Sequence, residues 1–304
     1  ELQSDMRTFK GEVVRDIVEI DKLAPDDKYA SKEIRDKAQE MVSSEDIQAD
    51  RGQGDLTSEV RSLIDLLPNS NEKLKNLAML FPVTKQIFYD CKGFERAATF
   101  LKGPYAYQIG SFLAEYADFG AARTRLREIG SFDPIREMIE TGEGETAYNF
   151  VAQVVKDDIE NKKYFVEQFP AIFDKMITLL SHPKQRLQRA VAFAMAAIAE
   201  GYLPAAQMVK KCDGINTLLN QFMLNPDGWV KEGMVAALGR LCREDKENQD
   251  KVRHYTKIFP LNDGSSLNLS GLACLLQQRS ERRDVYHAQL QTLLAVVTDN
   301  EDNI

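Results

Sequence analysis

The sequence predicts an all-α fold, a right-handed α-solenoid of three-helix units, and three observations carry that prediction. A helical phrase occurs twice: residues 169–200 read FPAIFDKMITLLSHPKQRLQRAVAFAMAAIAE and residues 213–244 read DGINTLLNQFMLNPDGWVKEGMVAALGRLCRE. Aligning Ile198 with Leu241 gives an offset of 43 residues, and self-similarity at about 40 residues marks a stacked helical array. From Leu56 onward apolar residues recur at three-to-four spacing almost without interruption, the period of an amphipathic helix. No alternating pattern of convincing length appears, so strand content is expected near zero.

Each element can be justified in turn. Residues 6–22 place Phe9, Val13 or Val14, Ile17 and Ile20 on one helical face, and Pro25 ends that run. A more polar helix is expected over Ser31–Val42, with Ser31 as N-cap and Glu33 and Asp36 in its first turns. Residues 43–55 (SSEDIQADRGQGD) read as linker. Together residues 1–55 make an acidic helical arm. Next come Leu56–Leu67, with Leu56, Val60, Leu63, Ile64 and Leu67 on one face, then Glu72–Phe81 and Thr84–Tyr89.

Beyond these, Gly93, Gly130, Phe169 and Gly214 mark repeat junctions at spacings of 37, 39 and 45 residues. Glycine at such a point is expected to supply a positive-φ turn that ends one helix and redirects the chain. A short polar helix precedes each later junction (AARTRLREI, NKKYFVEQF, AAQMVKKC). Each unit is therefore one short and two longer helices. The last helix is the informative one. Leu187, Ala190, Val191, Ala194 and Ile198 form its apolar stripe in one copy, and Val230, Gly233 or Met234, Ala237 and Leu241 in the next. Small residues there let the helix sit close between neighbours.

These elements resemble the armadillo-repeat family: a glycine turn (Asp213-Gly214), a Leu-Leu helix (Leu179-Leu180, Leu218-Leu219), a Pro break (Pro183, Pro226), an Ala-rich helix, and an Asn-Lys step (Asn161-Lys162). The match covers roughly residues 56–260, about four repeats, and is closest in the two central ones. The resemblance implies that the Ala-rich third helix lines a concave groove. Its outward residues Arg186, Arg189, Phe193, Lys231, Glu232 and Arg240 would then be open to a partner. Trp229 joins them, read first as a packed cap after Pro226-Asp227-Gly228 and second as an aromatic interface anchor. One departure matters. Importin-type members carry a Trp-x-x-x-Asn ladder on this helix, whereas here Gly233 stands four residues after Trp229. That removes the residues an extended-peptide carrier of that type needs.

Composition narrows the function classes. The chain has 304 residues, 43% hydrophobic and 28% charged, enough for a large core and not the make-up of a disordered chain. No run approaches the roughly 18 apolar residues of a membrane span, so no direct membrane insertion is expected. The net charge is −8. Residues 1–68 carry 17 acidic against 10 basic residues, and the remainder 30 against 29. No clustered basic segment suits a phosphate backbone, so nucleic acid is not an expected ligand. Cys91, Cys212, Cys242 and Cys274 are widely spaced with no C-x-x-C pair, which points to free thiols in a reducing compartment. The chain opens on Glu1 with no signal-type apolar segment after it. Cytoplasm, or an organelle interior after loss of a targeting segment, fits that pattern.

Catalytic constellations are missing. His182, His254 and His287 stand in unrelated contexts, and no metalloprotease, nucleophile-elbow, Walker or dinucleotide motif occurs. Thr141-Gly-Glu-Gly-Glu145 reads as a turn between helices, and Asp157-Asp158 as solvated carboxylates. No catalytic residue, cofactor or metal is predicted. Residues 261–304 read as a loop (LNDGSSLN) and two capping helices. The first carries Leu269, Leu272, Leu275 and Leu276, the second Tyr286, Leu290, Leu293 and Leu294. A Leu-rich hairpin with arginines after a few repeats is similar in layout to armadillo-type nucleotide-exchange factors of 70-kDa heat-shock chaperones. The leading expectation is a non-enzymatic scaffold, adaptor or structural subunit. It would bind a protein through the groove and the N-terminal arm, with a co-chaperone role as the alternative.

Overall fold

A computed structural model describes residues 53–141, 144–225, 228–243, 245–260, 266–271, 275 and 283–297. The helices expected over 6–22 and 31–42 lie outside the described residues. The described residues form two compact units, divided after Gly93.

In the first unit, α1 (Gln53–Asp65), α2 (Asn71–Leu80) and α3 (Val83–Asp90) pack together. Helix α1 begins inside the stretch read as linker. Leu56, Val60, Leu63, Ile64 and Leu67 are all buried, with Leu74, Leu77, Ile87 and Phe88. The Ser70 hydroxyl donates to the Leu63 carbonyl and satisfies an acceptor at the end of α1.

The second unit contains α4 (Gly93–Ala98), α5 (Ala106–Tyr116), α6 (Gly120–Glu128), α7 (Phe132–Thr141), α8 (Glu145–Val154), α9 (Ile159–Gln168), α10 (Ile172–Leu179), α11 (Gln185–Ala199), α12 (Leu203–Lys211), α13 (Gly214–Leu224), α14 (Gly228–Cys242) and α15 (Lys246–His254). The strands β1 (Thr256–Pro260) and β2 (Ser266–Ser270) and helix α16 (Arg283–Val297) follow. Helices α6–α8, α9–α11 and α12–α14 are three successive units, each of three helices. The third helices stack in order, α5 on α8, α8 on α11, α11 on α14 and α14 on α16. Ala194, Ile198, Ala237 and Leu241 of these helices are all buried, 3% exposed or less. Helix α7 contributes Phe132, whose ring stacks on Phe165 at 5.1 Å and meets Phe150 edge-on at 6.0 Å.

Two expectations about turns need correction. Only Gly130 among the junction glycines takes a positive φ, at 71°. At the other two the preceding residue is left-handed instead, Lys92 and Asp213 both at φ 58°. Gly93 and Gly214 are glycines for space: a Cβ would run into the Phe88 ring at one and into Val209 at the other. Asp158 is also more than a solvated carboxylate. It caps α9 by accepting from Asn161 N at 2.9 Å, and it pairs with Arg127 at 3.3 Å.

The C-terminal segment departs from expectation as well. Strands β1 and β2 form an antiparallel hairpin in which Thr256 faces Ser270 and Ile258 faces Asn268. The segment read as a loop thus ends in a strand, and Leu269 belongs to β2 and not to a helix. The reason is local: β-branched and aromatic residues of TKIFP follow an extended Tyr255. Gly271 N closes the hairpin onto the Tyr255 carbonyl at 2.8 Å. The second expected helix is present as α16, yet Leu290 and Leu294 are exposed while Gln289, Thr292 and Val296 are buried. Helix α16 takes a third-helix position against α14, and the polar Thr292 suits that contact because its hydroxyl donates to the Val235 carbonyl at 2.6 Å. Cys91 and Cys212 are free and half-buried, and Cys242 is free and buried; Cys274 lies outside the described residues.

Candidate functional site

The third helices present a common face, and its register follows from backbone geometry. Asp157 after α8 and Gly201 after α11 are both left-handed, at φ 55° and 65°. They stand 44 residues apart, and the Ile198–Leu241 offset of 43 carries the register on to α14. Stepping by those offsets aligns Asn149, Phe193 and Ala236 in one row. A second row is Gln153, Ala197 and Arg240, and a third Lys156, Glu200 and Arg243. All nine residues line a single open cavity of about 920 Å³. Ile159 and Lys162 of α9, Arg189 of α11 and Gln291 and Thr292 of α16 extend its wall.

Arg189 joins that wall to the neighbouring repeat. Its guanidinium lies between two rings, 4.6 Å from the Phe193 centroid and 4.4 Å from that of Trp229. Its Nη2 donates to Glu232 at 3.2 Å. Cation–π stacking of this kind is worth about 0.5–2 kcal/mol per ring, more when desolvated. Gly233 makes the arrangement possible, because a Cβ there would come within 2.9 Å of Arg189 Cγ. The residue four after Trp229 is therefore glycine for a steric reason: Arg189 crosses the place where a longer side chain would stand.

At the C-terminal ends of the third helices the wall is strongly charged. Glu200 pairs with Arg243 at 3.0 Å and with Arg240 at 3.8 Å, and its backbone carbonyl accepts from Lys162 Nζ. Burial lowers the Lys162 ammonium, with Glu200 and Asp157 pulling the other way. Lys162 thus caps α11, where a cation suits the negative end of the helix dipole. Arg243 is 62% exposed, and Lys156 is exposed too.

The sequence-predicted positions divide between wall and support. Arg189, Phe193 and Arg240 line the cavity, while Trp229 and Glu232 lie outside its wall and hold Arg189. Arg186 is exposed on α11 away from the wall. Lys231 turns to α13, its ammonium 5.8 Å from the Phe222 ring, and burial lowers it. Sequence reasoning missed Asn149, Gln153, Lys156, Lys162, Glu200 and Arg243. The signal was available, since stepping back from Arg240 by 43 and then 44 reaches Ala197 and Gln153.

Among the described residues no group of His, Cys, Asp or Glu gathers to hold a metal ion, and no helix is long and apolar enough to cross a membrane. His254 is exposed, and His182 Nδ1 accepts from Lys184 N at 3.1 Å.

No protein-family model matches the chain, and no curated protein matches it by sequence. Solved structures do. An engineered protein superposes with a TM-score of 0.63 at 16% identity, over 78% of this chain and 96% of its own. The designed armadillo repeat protein YIII(Dq)4CqI gives 0.56 at 16% identity, over 86% of this chain and 98% of its own. A further design, YIII(Dq.V1)4CPAF in complex with peptide (KR)4, gives 0.60 at 14% identity, over 78% and 98%. What this chain shares with all three is the armadillo-like repeat fold.

Proposed function

We propose that this protein is a non-enzymatic scaffold, an adaptor or structural subunit, that binds a protein partner along the third-helix face of its second unit. The observation that carries the reading is the cavity wall itself. The wall combines exposed amides, a stacked Arg–aromatic shelf and cations, held on helices at a regular repeat. Such a wall offers hydrogen bonds and apolar contact along a length of chain, as peptide-binding surfaces do. A designed protein of the same fold has been solved with a bound peptide, which supports a peptide- or protein-binding use of this fold. The acidic residues 1–55 add a second contact in this reading.

The test is capture of partners by the full chain from its native source, repeated with Gln153→Trp/Ala236→Trp. Both positions are solvent-accessible in the wall, so the variant should melt like the parent and lose its specific partner at least tenfold. A partner retained at full affinity would move binding to another face.

A further inference from the structure

The cavity is basic on a chain that is acidic overall. Its wall holds Lys156, Lys162, Arg189, Arg240 and Arg243 against Asp157 and Glu200, a surplus of three positive charges, while the chain carries −8. Two of these cations have structural work: Lys162 caps α11, and Arg189 is stacked and paired with Glu232. The other three are less committed. Arg240 and Arg243 share the single carboxylate of Glu200. A guanidinium has five N–H donors, so two of them present more donors than one carboxylate accepts. Lys156 is exposed, and no ion pair to it occurs among the described residues.

We propose that this cavity takes an extended acidic peptide segment of a partner protein. The proposal rests on the scaffold reading above and names the chemistry of its ligand. Carboxylates of the segment would be held by Arg240 and Arg243 at one side and by Lys156 at the other, Lys156 and Arg243 standing in the row that also contains Glu200. Arg binds carboxylates with charge-assisted, frequently bidentate hydrogen bonds, and a wall with a surplus of one sign concentrates the complementary ligand. The apolar side of the segment meets Phe193, Ala197, Ala236 and Ile159, the last 57% exposed. Such a ligand is opposite in charge to (KR)4, the peptide with which a designed structural neighbour was solved. The fold is common to both, and the charge of the wall selects the ligand.

The experiment uses the full chain and fluorescein-labelled (DE)4, (KR)4 and (GS)4 peptides, read by anisotropy at low and high salt. The acidic peptide should bind at least tenfold more tightly than the other two, and salt should weaken it. Lys156→Glu/Arg243→Glu, at two exposed positions, should lower its affinity at least tenfold, with a melting temperature within a few degrees of the parent because only the exposed Arg243–Glu200 pair is lost. Lys156→Arg should preserve it, which a loss of local structure would not. Equal or stronger binding of (KR)4, or acidic-peptide binding that ignores the charge reversal, overturns the proposal. So does failure of (DE)4 to bind, whether or not cross-links join Lys156 to residues 1–52 of the same chain; such cross-links would identify the chain's own acidic segment as the occupant. A native partner still captured by the reversal variant overturns the acidic-ligand inference while leaving the scaffold reading intact.

Discussion

Cys212 ends α12 with its thiol donating to Asp174 Oδ1 at 3.2 Å. Burial first, then the Asp174 hydrogen bond and charge, push this thiol up to about 11. The reactive species is the thiolate, so Cys212 should resist iodoacetamide at pH 8.5 although it is half-buried and not sealed. Its alkylation, followed by peptide mass spectrometry, should rise through pH about 11. Asp174→Asn should move that rise to lower pH and speed the reaction at pH 8.5. A rate unchanged by the substitution would leave burial as the whole cause. The raised value also fixes a sign: the stability this protonated thiol contributes is full below its ordinary value of 9 and is lost as pH climbs toward 11. None of this was legible from the isolated Cys212, because Asp174 is 38 residues away and meets it only across the stack. Arg189 is similar. Its exposure on the third helix could be read from helical phase, but its clamp of Phe193, Trp229 and Gly233 needed the neighbouring repeat in place.

The junction between a third helix and the next short helix is closed by a recurring device. Asp158 and Asp245 cap α9 and α15, each accepting from the backbone of an Asn three residues on, at 2.9 and 3.0 Å. That Asn is fully buried and donates back to the last turn of the third helix, Asn161 to Val154 O at 2.6 Å and Asn248 to Leu241 O at 2.7 Å. Truncating it strands a buried carbonyl, at a cost of about 1–3 kcal/mol. Asn248→Ala and Asn161→Ala should each shift the urea midpoint down by that equivalent, and a midpoint unchanged within error would refute the role. The two copies, DIEN at 158–161 and DKEN at 245–248, are visible in the sequence at 87 residues, twice the repeat. They escape a search at single period because the middle copy has Ala205 there. At that junction Lys162 reaches the Glu200 carbonyl instead. The same function is performed by residues of different type, so pattern matching finds only part of it.

On the scale of the second unit, contacts run between successive repeats, and such stacks open from their ends. Helix α16 closes the stack against α14 at Gly239, where a Cβ would come within 2.7 Å of Thr292 Oγ1 and 3.3 Å of its Cα. Gly239→Val should therefore loosen α16, raising hydrogen exchange in 283–297 tenfold or more, while α8 and α11 keep their protection. Uniform loss across all helices would show a cooperative unit in place of a terminal repeat. By itself the sequence determined the helical class, the period near 43 and the buried stripe of the third helices, because each depends on spacing along one helix or between two identical phrases. Tertiary structure decided the rest. It placed Lys156, Glu200 and Arg243 in one row from three different repeats, explained Gly233 by a side chain 44 residues earlier, and turned part of the C-terminal segment into a hairpin. The basic cavity belongs to that second class: its charges are scattered over 88 residues of chain and gather into a wall of net positive charge only when the third helices stack.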